Sequence, residues 1–452
     1  LYAGITQNYV GYKVTITSKN RVQFERFTDS LRRLARAAPE GLPCFQLLYA
    51  WIEYFNDNHT GIYTIDGSIK TATVSAFYNL PANGVPVDTV ALKQYLLGKG
   101  RDSIEGIWEN VSYPSRNYIV KDKSKPSHFT CVVLQSSSPY WVPGQIRYHI
   151  RKTKKQQYVL GTYYNMYRVA ENPGLKINAN KLVLTKYGSV WRKVFPPVAG
   201  AAEVKRMETY FANEDSIPTL KIIDSNTVLV SVPACRLSFM LIVDSLVKAN
   251  KSLIERANHL LVDIRNNGGG SRLVFRSLLP YISSGAYYGT VGYMWGTNRN
   301  IELYRPTDTL LPEATLKIMN SMVDSLIKYR GNIYTEKADI TRPDSIYPKP
   351  ARVSILVNRF TASAAELFLQ DAMQSKKVTV FGENTNGIVD YGDVAWDIKL
   401  PCPYFGYYYA LYMTKITDGK HYESVGIPPH VQIDPELDDW IGFVMKYYKR
   451  KS

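Results

Sequence analysis

The chain has 452 residues, 45% of them hydrophobic, and its 55 lysines and arginines against 39 aspartates and glutamates give a formal charge of +16. That is enough apolar mass for about three domains with real cores, and it excludes a disordered or small disulfide-stapled protein. The positive charge is scattered over short runs such as VKDKSKPS, IRKTKKQQ and KYYKRKS with no aromatic-basic reader motif beside them, so nucleic-acid binding is not expected.

Residues 1–101 read as an N-terminal helical region with connecting strands. In CFQLLYAWIEYF, the residues Phe45, Leu48, Trp51, Ile52 and Phe55 recur at three-and-four spacing, which predicts an amphipathic helix packed on a core; NDNHTG ends it, and the chain turns to strand towards Thr73. Residues 102–203 change to short alternating segments (NYIVKDK, HFTCVVLQ, GQIRYHIRK, NKLVLTKYG) cut by Pro, Gly, Asn and Ser, the pattern of an all-β, barrel-like module. From 204 to 452 strands and helices alternate. NTVLVSV, HLLVDIR, RVSILVN and KVTVFG are buried-strand runs, whereas LSFMLIVDSLVKANKSLIERA and ASAAELFLQDAMQS have helical spacing, so this part is an α/β unit with a long excursion at about 271–350.

No apolar run approaches the ~20 residues of a membrane-spanning helix. The chain opens on Leu1 and not Met, which fits an export signal that has been removed. Its four cysteines, Cys44, Cys131, Cys235 and Cys402, are far apart and form no CxxC pair, so free thiols are expected and a structural zinc site is not.

The GxSxG elbow, the phosphate-binding GxxxxGK[ST] loop and the HExxH zinc motif are all absent. Two strand-to-turn junctions remain. In LLVDIRNNGGGS, Gly268 to Gly270 follow a buried strand and can present bare backbone N–H groups to an anion, although a sharp turn alone explains such glycines. In NRFTASAAEL, Ser363 opens a helix, where the N–H of Ala364 and the positive helix end face an oxygen bound near its Oγ; a plain N-cap serine needs no chemistry.

Taken together, the glycine turn, T-A-S-A-A-E and G-E-N-T-N-G, each after a successive strand, resemble the core of the C-terminal processing (tail-specific) serine peptidases and their tricorn-like relatives. The resemblance is specific over about 228–433 and implies a crotonase/ClpP-like α/β catalytic domain. The family motif D-[LI]-R-x-N-x-G-G stands here as Asp263 to Gly270, which implies an oxyanion N–H from Gly269, or from Gly270 one residue on, beside that of Ala364; the family serine falls on Ser363.

Where many members carry a dyad lysine, GENTNGI has Ile388, which cannot accept a proton. Lys376 and Lys377 lie 13 and 14 residues along the helix from Ser363, about 20 Å away at ~1.5 Å per residue. Among the six histidines, His59 lies in Asp57-Asn58-His59-Thr60-Gly61, which resembles the D-x-H-[TA]-G segment of lysine-lacking members and implies the catalytic base. Their supporting glutamate precedes a G-[IV]-x-P motif, and here Glu423 precedes Gly426-Ile427-Pro428-Pro429. His421, two residues earlier, is the alternative base.

The implied activity is hydrolysis of polypeptide substrates through an acyl-enzyme with a Ser-His-Glu triad and no metal or organic cofactor. Exported relatives imply an extracytoplasmic location. No PDZ-like carboxylate-binding loop is seen, and the β module stands in its place. The alternative is a non-catalytic member of the same fold that binds an apolar ligand, a glycan or a protein.

Overall fold

Strands covered by helices on both faces have no side to turn towards water, so they read as continuous apolar runs and pair in parallel. In the computed structural model Thr227–Ser231, His259–Asp263, Arg352–Val357 and Val378–Gly382 lie side by side in that way. Thr219–Asp224 extends one edge antiparallel and Val431–Gln432 extends the other in parallel, completing a six-stranded sheet. Alternate residues supply its two faces. Val230, Val262 and Ile355 pack under the helices Leu237–Ala249 and Ala364–Met373, while Leu229, Leu261 and Leu356 meet Trp440 and Val444 of the helix Trp440–Lys449.

The structure describes residues 1–38, 42–65, 84–111, 114–138, 141–155, 157–165, 168–170, 174–184, 189–199, 217–289, 291–306, 313–336, 340–343, 345–402, 404–414, 420–435, 437 and 439–450. Of the stretch expected to turn to strand towards Thr73, residues 66–73 fall outside them.

The N-terminal region is helical: Tyr2–Asn8, Val10–Thr15, Arg21–Ala37 and Leu42–Ile52 precede the strand Gly61–Thr64. Phe45, Trp51, Ile52 and Phe55 are buried with Tyr9 and Phe24, and Leu48 packs on the same cluster. Gly61–Thr64 pairs with Phe405–Thr414, Gly61 opposite Tyr408. Tyr391–Lys399 pairs with that same long strand, and Gly292–Trp295 and Ile333–Thr335 complete a five-stranded sheet. The excursion therefore contributes two strands to a sheet that ties the N-terminal region to the last quarter of the chain.

Between these parts lies a nine-stranded antiparallel sheet around Trp108, Tyr148 and Trp191. It is close to a barrel: Cα atoms of Tyr158–Asn165 and Leu175–Asn178 come within 8 Å. Its hydrogen-bonded order still runs from an edge at Arg168–Ala170 to an edge at Leu175–Asn178, with no ladder between those edges among the described residues. Among the described residues no helix is long and apolar enough to cross a membrane. All four cysteines are free thiols, Cys131 and Cys235 buried.

Candidate active site

Because His259–Asp263 and Arg352–Val357 are parallel neighbours, with Asp263 opposite Leu356, the loops that leave them emerge at the same edge of the sheet. Two asparagines stitch those loops together. Asn358 Oδ1 accepts the N–H of Asn266 at 3.0 Å, and Asn358 Nδ2 donates to Asn266 Oδ1 at 2.8 Å. Ala362 donates its N–H to Asn267 O at 2.9 Å, and Thr361 Oγ1 donates to Ile264 O at 3.0 Å. The glycine turn is thereby fixed against Ser363: a Cβ on Gly269, whose φ is +100°, would stand 2.7 Å from Ser363 Cβ and 2.9 Å from Ala362 O.

Ser363 caps the helix Ala364–Met373, but not as an ordinary cap residue, which has β-region dihedrals. Its φ of 53° and ψ of −121° are rarely adopted outside glycine and cost about 1–3 kcal/mol. The clamp that holds this turn is Glu366, wholly buried on the first turn of the helix. Its Oε2 accepts the N–H groups of Ser363 (2.8 Å) and Ile388 (3.0 Å), and its Oε1 accepts Thr385 Oγ1 (2.5 Å) and Gly387 N–H (2.9 Å). Burial pushes the Glu366 carboxyl up while those donors pull it back. One carboxylate thus ties the serine turn to the loop after the next strand, Val378–Gly382. In the sequence the only signal of this role is the spacing of three between Glu366 and a cap serine.

His59 arrives from the other end of the chain, on the turn before Gly61–Thr64. Its Nε2 lies 3.4 Å from Ser363 Oγ. Buried Asp57 shapes the turn: Oδ1 accepts the His59 N–H at 2.7 Å, and Oδ2 accepts Thr60 Oγ1 at 2.5 Å and Tyr9 Oη at 2.8 Å. Burial raises Asp57 to about 6 despite these donors. Burial also lowers the His59 imidazole to about 4, so the ring is neutral at pH 7 and its Nε2 can take a proton. His59 Nδ1 is buried without a hydrogen-bond partner among the described residues.

Glu423 reaches this turn one residue short of His59. Its Oε1 accepts the backbone N–H and the side-chain Nδ2 of Asn58 at 2.9 and 2.7 Å, and its Oε2 accepts Asp390 N–H at 3.3 Å. Burial is the largest influence and pushes the Glu423 carboxyl up to about 8. His421, the alternative base, places Nδ1 3.4 Å from Asp390 Oδ2 and is 70% exposed at its side chain. The other histidines have local partners: His259 with Ser354, His430 with the Val380 N–H, His128 with Pro126 O and His149 with Thr130. Lys377 Nζ donates to the carbonyls of Tyr281 and Tyr347.

The backbone donors differ from one another. Gly269 gives its N–H to Asn267 Oδ1 at 3.0 Å, whereas the N–H groups of Gly270 and Ala364 make no hydrogen bond among the described residues. Gly270, Ser363 and Ala364 share the lining of one cavity of 530 Å³. The Ser363 hydroxyl and these two N–H groups meet on one cavity, and a neutral imidazole stands 3.4 Å from the hydroxyl; acyl transfer requires parts of these kinds. Among the described residues no three His, Cys, Asp or Glu side chains are grouped to hold a metal ion.

Residues 236–433 of the 452 match the model of Peptidase family S41. The match spans the glycine turn, Ser363 and Glu423 and leaves His59 outside. No curated protein matches the chain. Similar solved structures include mature CPAF complexed with lactacystin, at 13% identity over 95% of this chain and 92% of that one, with a TM-score of 0.48. Others are the photosystem II D1 C-terminal processing protease (15% identity, 98% and 93% covered, TM-score 0.38) and a lipoprotein from Streptococcus agalactiae (15%, 52% and 71%, TM-score 0.34).

Proposed function

We propose that the chain is a serine endopeptidase that works through an acyl-enzyme. The observation that carries this reading is the 3.4 Å approach of His59 Nε2 to Ser363 Oγ, made by residues 304 positions apart. Ser363 Oγ attacks the peptide carbonyl while His59 takes its proton. The tetrahedral oxyanion is held by the N–H groups of Ala364 and Gly270, each worth roughly 3 kcal/mol of barrier. His59 returns the proton to the leaving amine, and water then hydrolyses the ester. Glu423 supports the imidazole by fixing Asn58, and Gly269 serves as the glycine that lets the turn approach the nucleophile.

The same reading includes a crotonase/ClpP-like core, division of the chain near 101 and 203, and an extracytoplasmic home. Its test is a proteome-derived peptide library incubated with wild type and Ser363→Ala side by side. Internal cuts made by wild type alone are expected; cuts of equal yield with Ser363→Ala overturn the reading.

A further inference from the structure

The lining of the cavity beside Ser363 has two unlike parts. Leu273, Leu367, Val389, Met319 and Met322 make apolar walls, the two methionines coming from the helix Glu313–Lys328. Glu336 and Asp393 add two carboxylates. Glu336 accepts Tyr412 Oη at 2.9 Å and Gly292 N–H at 3.1 Å, and Asp393 accepts Tyr304 Oη at 3.1 Å. Neither forms an ion pair among the described residues, and Asp393 is exposed. Arg272, the cation of the same lining, is close enough to act on both acids through its charge, but its own ion pair, at 3.8 Å, is with Asp371 outside the lining.

His59 is not among the lining residues, whereas Gly270 and Ala364 are. The imidazole must stand on the leaving-amine side, since it returns a proton there. The cavity therefore lies on the acyl side of the scissile bond and receives the side chain of the residue whose carbonyl is attacked. Desolvation pushes both carboxyls up while Arg272 pulls them back. Aliphatic walls ending at two acids without an ion pair among the described residues therefore suit a long apolar stem ending in a cation, whose charge favours their ionised form.

We propose that this cavity selects a lysine or arginine immediately before the cut, with Glu336 and Asp393 as the specificity-determining residues. The proposal rests on the peptidase reading above for the side of the bond, but the cavity's chemistry can be measured without turnover. Fluorescent peptides identical except for one central Arg, norleucine or Glu are titrated against Ser363→Ala, and against Ser363→Ala carrying Glu336→Gln or Asp393→Asn. Asparagine tolerates the positive φ of 48° at position 393, and both amides keep the side-chain shape.

The Arg peptide is expected to bind at least about tenfold tighter than the norleucine peptide, with that ratio falling towards one in each amide variant. Equal affinity for Arg and norleucine, tighter binding of norleucine or Glu, no binding of any peptide, or a ratio unmoved by both amides would overturn the proposal. Cleavage by wild type is scored separately. Arg-selective binding without cleavage of the same peptides would count against the peptidase reading and leave the selectivity standing; cuts that ignore Lys and Arg would overturn the selectivity and leave the peptidase reading standing.

Discussion

The carboxylate of Glu366 accepts the backbone N–H of Ser363 at 2.8 Å, and its two oxygens together take four donors from two loops. Truncation to alanine leaves those donors buried and unpaired. Glu366→Ala should lose about 3–5 kcal/mol of stability and Glu366→Gln about 2–4 kcal/mol, because an amide turns one donating edge towards N–H groups. Urea titration followed by tryptophan fluorescence measures this. Turnover of folded Glu366→Gln should fall about 100-fold, since the serine turn loses its clamp; a variant with wild-type turnover would show that the strained turn stands without it.

Gly268 and Gly269 make a paired test of the turn. A Cβ at Gly268 meets nothing within 4 Å, whereas at Gly269 it meets Ser363 Cβ at 2.7 Å with φ at +100°. Gly268→Ala should stay within about 1 kcal/mol of wild type and keep activity, while Gly269→Ala should lose about 2–4 kcal/mol and its activity. Thermal melts with a peptide assay separate the two; equal effects would contradict the described contact.

The pH dependence follows from His59, which burial lowers from 6.5 to about 4. Since kcat/KM reports the base in the free enzyme, its acid limb should fall at about pH 4–5 and not near 6.5. Between 4 and 6.5 the unfolded chain binds the extra proton. This contribution to stability is therefore present above 6.5 and lost as pH falls towards 4. His59→Gln should flatten that part of the stability profile, measured by denaturant titration at pH 4, 5, 6 and 7.

Glu423 has the opposite sign, since burial raises it from 4.5 to about 8 and the folded protein holds the proton that the unfolded chain releases. Its contribution is present below 4.5 and lost as pH rises through 8. Relative to Glu423→Gln, wild type should become less stable between pH 5 and 8.5. On the proposed mechanism, in which Glu423 supports His59 by holding Asn58, Glu423→Gln should lower kcat by about 10- to 100-fold without abolishing it. An unchanged kcat would remove Glu423 from the mechanism.

Much of this was legible in the sequence. The β-branched runs around Leu261 and Ile355 and the spacing of Phe45, Trp51 and Ile52 are local patterns, and local patterns specify strands and helix faces. The three segments bearing His59, Ser363 and Glu423 could be nominated by resemblance. Their mutual geometry could not, because it depends on the pairing of Gly61–Thr64 with Phe405–Thr414, a contact with no local signature. The grip of Glu423 on Asn58 was equally hidden, since an extended HYES segment does not show which neighbour of His59 its glutamate will reach. Glu366 could have been read as a capping partner, but its hold on Thr385, Gly387 and Ile388 exists only once two loops have met.

The most direct test of the Ser363–His59 pair is labelling with a fluorophosphonate probe, with the modified residue located by peptide mass spectrometry. Wild type should carry one adduct, on Ser363, and His59→Ala should label at least about 100-fold more slowly. Labelling that persists in Ser363→Ala at the wild-type rate would contradict the account.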